Sequence, residues 1–114
     1  MLASGLDRSF MARNYNDREF LTHVLSCIRS ILNEPTQVTL GLSKKAQRSG
    51  YAIYLHSSTI HFTLLLPKTL IKQLKSKSPY SLDAYLWQSI KQLPLHFDFK
   101  DPYVKLLNVY AKNL

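Results

Sequence analysis

The stretch YAIYLHSSTIHFTLLL, residues 51–66, decides how the chain is read. On both sides of Ser57-Ser58 apolar and polar side chains alternate with a period of two, the pattern of half-buried strands joined by a turn. A tight turn at Ser57-Ser58 pairs His56 with Thr59, Leu55 with Ile60 and Tyr54 with His61. That register sets Tyr51, Ile53, Leu55, Ile60, Phe62 and Leu64 on one face. Ala52, Tyr54, His56, Thr59, His61, Thr63 and Leu65 fall on the other. The first face is apolar but for one phenolic hydroxyl, and the second is mixed. A slip of one residue scrambles this separation, because side chains change face at every residue. Ser-Ser is not the Asn-Gly chemistry that two-residue hairpins favour, so a longer loop is the alternative.

Working upstream, Val38, Leu40 and Leu42 alternate with Gln37, Thr39 and Gly41 and read as a further strand. SKKAQRSG, residues 43–50, is polar and basic, ends in Gly, and reads as a loop. Residues 15–33 carry a helical signal. Asn16 is a suitable N-cap with Glu19 three residues later, and Tyr15 and Phe20 have the spacing of a hydrophobic staple. Phe20, Leu21, Val24, Leu25, Ile28, Ile31 and Leu32 then recur at helical period, with Cys27 at the edge of the stripe. Pro35 disfavours helical geometry at Glu34, so the helix stops near Asn33. Residues 1–14 show no clear period and are predicted to be a flexible tail.

Downstream, Pro67 suits the start of a helix whose Leu70, Ile71 and Leu74 face inward. Ser78-Pro79 breaks it. Ser81 is read as the cap of the next helix, with Leu82, Tyr85, Leu86, Ile90 and Leu93 as its apolar stripe. Leu95, Phe97 and Phe99 alternate with His96, Asp98 and Lys100 and predict a short fourth strand. Asp101 and Pro102 are suited to cap and open a final helix that buries Tyr103, Leu106, Leu107 and Tyr110. The expected order is α-β-β-β-α-α-β-α. It describes an α+β fold in which a small antiparallel sheet of three to four strands has helices packed on one face. Residues 15–114 form one domain behind the tail 1–14. The first five elements share their order with double-stranded-RNA-binding domains. In that family the basic cluster begins the second helix, whereas Lys44-Lys45-Ala46 here lies between the first two strands, so the likeness is one of element order.

The chain has 114 residues, 15 Lys plus Arg against 7 Asp plus Glu, and a formal net charge of +8. The single Cys27 excludes an intrachain disulfide and a Cys-rich zinc site. With no secretory apolar stretch near the N terminus, it points to a cytoplasmic location. No apolar run is long enough to cross a membrane. There is no Gly-rich phosphate loop, no G-x-S-x-G elbow and no paired-carboxylate spacing, so an enzyme is not the leading expectation. No cofactor is expected. No metal is expected either, because His56 and His61 taken with His96 or Asp98 match no metal-motif spacing. Cys27 is expected to be buried and inert, and His23 to lie on the surface.

The basic residues carry the main functional signal. Lys68, Lys72, Lys75 and Lys77 occur in one segment without an acid, and Lys44, Lys45 and Arg48 in another. Together they suggest a non-enzymatic nucleic-acid-binding module that contacts backbone phosphates of DNA or RNA through a basic loop and a Lys-striped helix. Tyr54 and His61, on the outer hairpin face, would add base or sugar contacts. The alternative is a small protein-interaction or regulatory subunit using the C-terminal aromatics. Its interface residue is Trp87, which falls off the stripe of its helix, and its partner is an acidic protein or a second copy in a homodimer. A third reading makes His56 and His61 the acid–base pair of a metal-independent ribonuclease.

Overall fold

The computed structural model describes residues 5–33, 38–42 and 50–114. Its central helix begins where the cap signal places it. Asn16 Oδ1 accepts from the Glu19 N–H at 2.8 Å, and Glu19 Oε1 accepts from the Asn16 N–H at 3.3 Å. Two of the orphan donors at the start of α2 (Asp17–Arg29) are satisfied in this reciprocal way. Phe20, Leu21, Val24, Leu25 and Ile28, the apolar stripe of α2, are buried, and Cys27 is buried beside them.

The sheet is antiparallel, with order β1 (Thr39–Leu42), β2 (Gly50–His56), β3 (His61–Pro67). In the hairpin His56 stands opposite His61, Leu55 opposite Phe62 and Tyr54 opposite Thr63. The register is therefore two residues from the expected one, and the connection is a four-residue loop. Ser57 accounts for the longer loop: its Oγ accepts from the N–H of Ile60 at 3.0 Å and of Thr59 at 3.3 Å, and its own N–H donates to the Ile60 carbonyl at 2.8 Å. A two-residue slide preserves which face each side chain takes, so the separation of the two faces survives. Ile53, Leu55, Leu66 and Leu40 are buried on the inner face, while Thr39, His56, His61, Thr63 and Leu65 are exposed on the outer one. Gly50 is required at the far end of the hairpin. A Cβ there would sit 2.3 Å from the Leu66 carbonyl oxygen, which is backbone and cannot give way.

The helices pack on the inner face. α3 (Lys68–Lys77) follows β3 directly and buries Ile71 and Leu74. α4 (Ser81–Ile90) buries nearly its whole circumference, and α5 (Pro102–Ala111) packs against it. Asp101 caps α5 by accepting from the Tyr103 N–H at 2.9 Å, and Pro102 takes its first position.

Two expectations are corrected. The segment 95–99 is not a fourth strand: Phe97 makes one isolated bridge to Leu32, and the Asn33 and Asp98 N–H groups donate to the His96 and Ile31 carbonyls. Alternation there places Phe97 in the core, but the segment ties to the end of α2 and not to the sheet. Residues 5–14, expected to be a tail, form helix α1 (Gly5–Asn14). α1 escaped a periodicity reading because its main anchor is a charge, Arg8, and not an apolar stripe.

Candidate functional site

Three arrangements carry chemistry, and the first is a groove between α1 and α3. Two adjoining clefts of about 450 and 300 Å³ share Ala12, Arg13, Lys75 and Ser76 in their walls. Lys72 and Asp17 complete the first, and Ser9, Lys77, Ser78 and Pro79 complete the second. α3 supplies the lysines because it carries no acid and turns Ile71 and Leu74 to the core. Among the described residues neither Arg13, Lys72 nor Lys77 is paired with a carboxylate. Lys68, four residues before Lys72, is exposed on the same side of the helix.

Lys75 differs from its neighbours. Its Nζ donates to the Tyr15 carbonyl at 3.0 Å and to Asp17 at 3.2 Å, and it lies 5.4 Å from the centre of the Phe20 ring. It is a half-buried clamp between α3 and the start of α2, so the reading of Lys75 as an open phosphate ligand is corrected. Arg13 takes its place in the groove. Sequence reading missed Arg13 because it lay in the presumed tail. Lys44, Lys45 and Arg48 lie outside the described residues. At Leu42, where the chain leaves β1 toward that segment, a smaller cleft is lined by Arg18 and Arg29, and Arg29 donates to the Leu40 carbonyl.

The second arrangement is the outer face of the sheet. The rings of Tyr54 and His56 have centroids 5.2 Å apart, and those of His56 and His61 are 4.9 Å apart across the hairpin. Tyr54 lies against Gly41 on β1, where a Cβ would come within 3.1 Å of its hydroxyl. Leu65, 66% exposed, extends the same face. The result is an aromatic ladder on the outer sheet surface, with His56 and His61 exposed and the ring planes inclined to one another.

The third arrangement is buried. Arg8 and Asp83 are both fully buried and form an ion pair, and Tyr103 donates its hydroxyl to the other Asp83 oxygen. Arg8 Nη1 also donates to the Pro79 carbonyl at 3.2 Å, and Nη2 reaches Cys27 Sγ at 3.5 Å. Burial by itself would lower the Arg8 pKa, but the hydrogen bond and charge of Asp83 override it and raise it. Burial, reinforced by the charge of Asp83, pushes the Tyr103 phenol well above its ordinary range. One signal for this cluster was present in the sequence: Asp83 is the sole charged residue of a ten-residue helix that is otherwise mostly apolar.

His23, at 3.6 Å from Cys27 Sγ, is half-buried, and its pKa is lowered by burial and then by the charge of Arg8. The fold therefore favours neutral His23. Its contribution to stability is present above the ordinary imidazole pKa and is lost as pH falls through the lowered one. Urea midpoints measured at pH 7.5 and 5.5 should fall less on acidification in His23→Gln than in the wild-type chain. Equal losses would count against this assignment.

Trp87 is corrected most sharply. It is 1% exposed, donates its indole N–H to Asn108 Oδ1 at 3.0 Å, and meets the Phe97 ring edge-on at 5.1 Å. It holds α5 and the 95–99 segment against α4 and has no surface to offer a partner. Comparison of the chain with protein families, curated protein sequences and solved structures gives no match.

Proposed function

We propose that the protein is a non-enzymatic nucleic-acid-binding module whose phosphate contacts are made in the α1–α3 groove. The observation that carries this reading is the charge around the groove: four cations, and one carboxylate that is already paired with Lys75. Three cations, Arg13, Lys72 and Lys77, thus face solvent in one concavity, where their side chains can reach phosphate oxygens. Lys68 extends the line along α3. Lys68 and Lys72 of α3 repel each other at their i,i+4 spacing, and an anion beside Lys72 relieves that repulsion. Lys44, Lys45 and Arg48 add to the net charge that draws a polyanion, but the proposal does not depend on their position.

The aromatic ladder of Tyr54, His56 and His61 supports a preference for unpaired strands. Its rings lie on the outer face of the sheet, away from the inner face on which the helices pack, so they form a second surface, distinct from the groove, on which unpaired bases can stack. The interaction-subunit reading lost its anchor when Trp87 proved to be core.

Fluorescence anisotropy with labelled single-stranded and duplex oligonucleotides tests the proposal. Three to four phosphate contacts predict that log K against log salt falls with a slope of about −2 to −3 on single strands. Arg13→Glu, Lys72→Glu and Lys77→Glu combined should abolish binding at low salt while leaving the circular dichroism of the folded chain intact. Absence of any binding by folded wild-type protein at low salt would overturn the reading, as would undiminished binding by the triple variant.

A further inference from the structure

We propose that the buried cavity enclosed by α2, α4 and the start of α5 is a guanidinium-recognition pocket. Arg8 of α1 fills it in cis, and it accepts an alkylguanidinium, or an arginine side chain from another polypeptide, when Arg8 is withdrawn. The inference stands independently of nucleic-acid binding.

Among the described residues, the groups that surround the guanidinium come from elements other than the helix that supplies it. Asp83 of α4 pairs with Nη1, the Pro79 carbonyl accepts from the same nitrogen, and Cys27 Sγ of α2 lies 3.5 Å from Nη2. The Tyr80 ring is 4.6 Å from the guanidinium carbon and the Phe20 ring 5.6 Å. Tyr103 of α5 holds the second oxygen of Asp83 and keeps the carboxylate aimed. A carboxylate between aromatic faces suits a planar, delocalised, weakly hydrated cation. It suits a compact, strongly hydrated ammonium less well.

Recognition is confined to the far end of the side chain. Arg8 Nε, the nitrogen nearest the helix, is buried with no hydrogen-bond partner. The pocket thus reads the terminal fork and not the stem that tethers it. Among the described side chains of α1, Arg8 is the fully buried one, while Phe10 points outward at 57% exposure and Met11 and Ala12 rest on the core partly buried. A pocket shaped around a guanidinium can take another of the same chemistry once the Arg8 side chain is gone.

The test uses the full-length Arg8→Ala variant. Cys27 is the chain's one thiol and is buried beside the pocket, so its rate of labelling by a thiol reagent reports whether the cavity is filled. Labelling should be faster in R8A than in wild type by about tenfold or more. Ethylguanidinium at about 20 mM, where general denaturant action is slight, should slow it severalfold and raise the melting temperature. Ethylammonium chloride at the same concentration should do neither, and neither salt should protect wild-type Cys27, whose pocket is occupied. If R8A alone is unfolded, recovery of its helical circular dichroism by ethylguanidinium and not by ethylammonium is the supporting result. Equal effects of the two salts, no effect of either, or unchanged Cys27 labelling in R8A would overturn the proposal.

Discussion

Asp83→Ala should cost about 3–5 kcal/mol of folding stability, because it leaves the Arg8 charge buried without its counter-ion. The same change strips the Tyr103 hydroxyl of its acceptor. A loss of that size is a large share of the roughly 5–15 kcal/mol that holds a small domain folded, so the variant should be partly unfolded at room temperature. Urea denaturation followed by circular dichroism measures it. Breaking a buried pair and replacing it are different experiments. Arg8→Met combined with Asp83→Leu removes both charges and leaves only the neutral Tyr103 hydroxyl without its acceptor, so the double variant should be more stable than Asp83→Ala alone. If Asp83→Ala unfolds at the wild-type urea concentration, the pair does not hold α1 to the fold.

Trp87→Ala should destabilise by about 3–5 kcal/mol, the usual cost of emptying a large aromatic site in a core. The indole fills the space between α4, α5 and Phe97, and its N–H is satisfied by Asn108. Deleting it opens a cavity, while the exposed Asn108 amide turns to water instead. An exposed member of the same aromatic group gives the control: Phe99 is 61% exposed, and Phe99→Ala should change stability by under about 1 kcal/mol. Trp87 is the chain's one tryptophan, so the native emission maximum should lie toward the blue and shift red on unfolding. A Trp87→Ala protein as stable as wild type would return this residue to the surface, where the reading by helical stripe had put it.

The candidate groove was half legible. Lys68, Lys72 and Lys77 are exposed on an acid-free helix, as their spacing implies. Lys75 shares that spacing but meets Asp17, 58 residues away in sequence, and a one-dimensional pattern cannot tell a clamp from a contact. Arg13 has no local signature at all, since it enters the groove only because α1 is docked.

What the sequence by itself determined is local and periodic. Alternation over 51–66 set the two faces of the hairpin, the Asn16–Glu19 spacing set the start of α2, and Asp101-Pro102 set the start of α5. Each of these signals lies within one element, where side-chain direction follows from backbone geometry. Tertiary structure alone decided the rest. A two-residue slide of the hairpin leaves the faces unchanged, so only the Ser57 loop could choose between registers. The docking of α1 depends on an ion pair between residues 75 apart, and the place of Trp87 depends on a helix that arrives 21 residues later. Neither contact leaves a period in the chain, because both come into being only when separate elements meet in space.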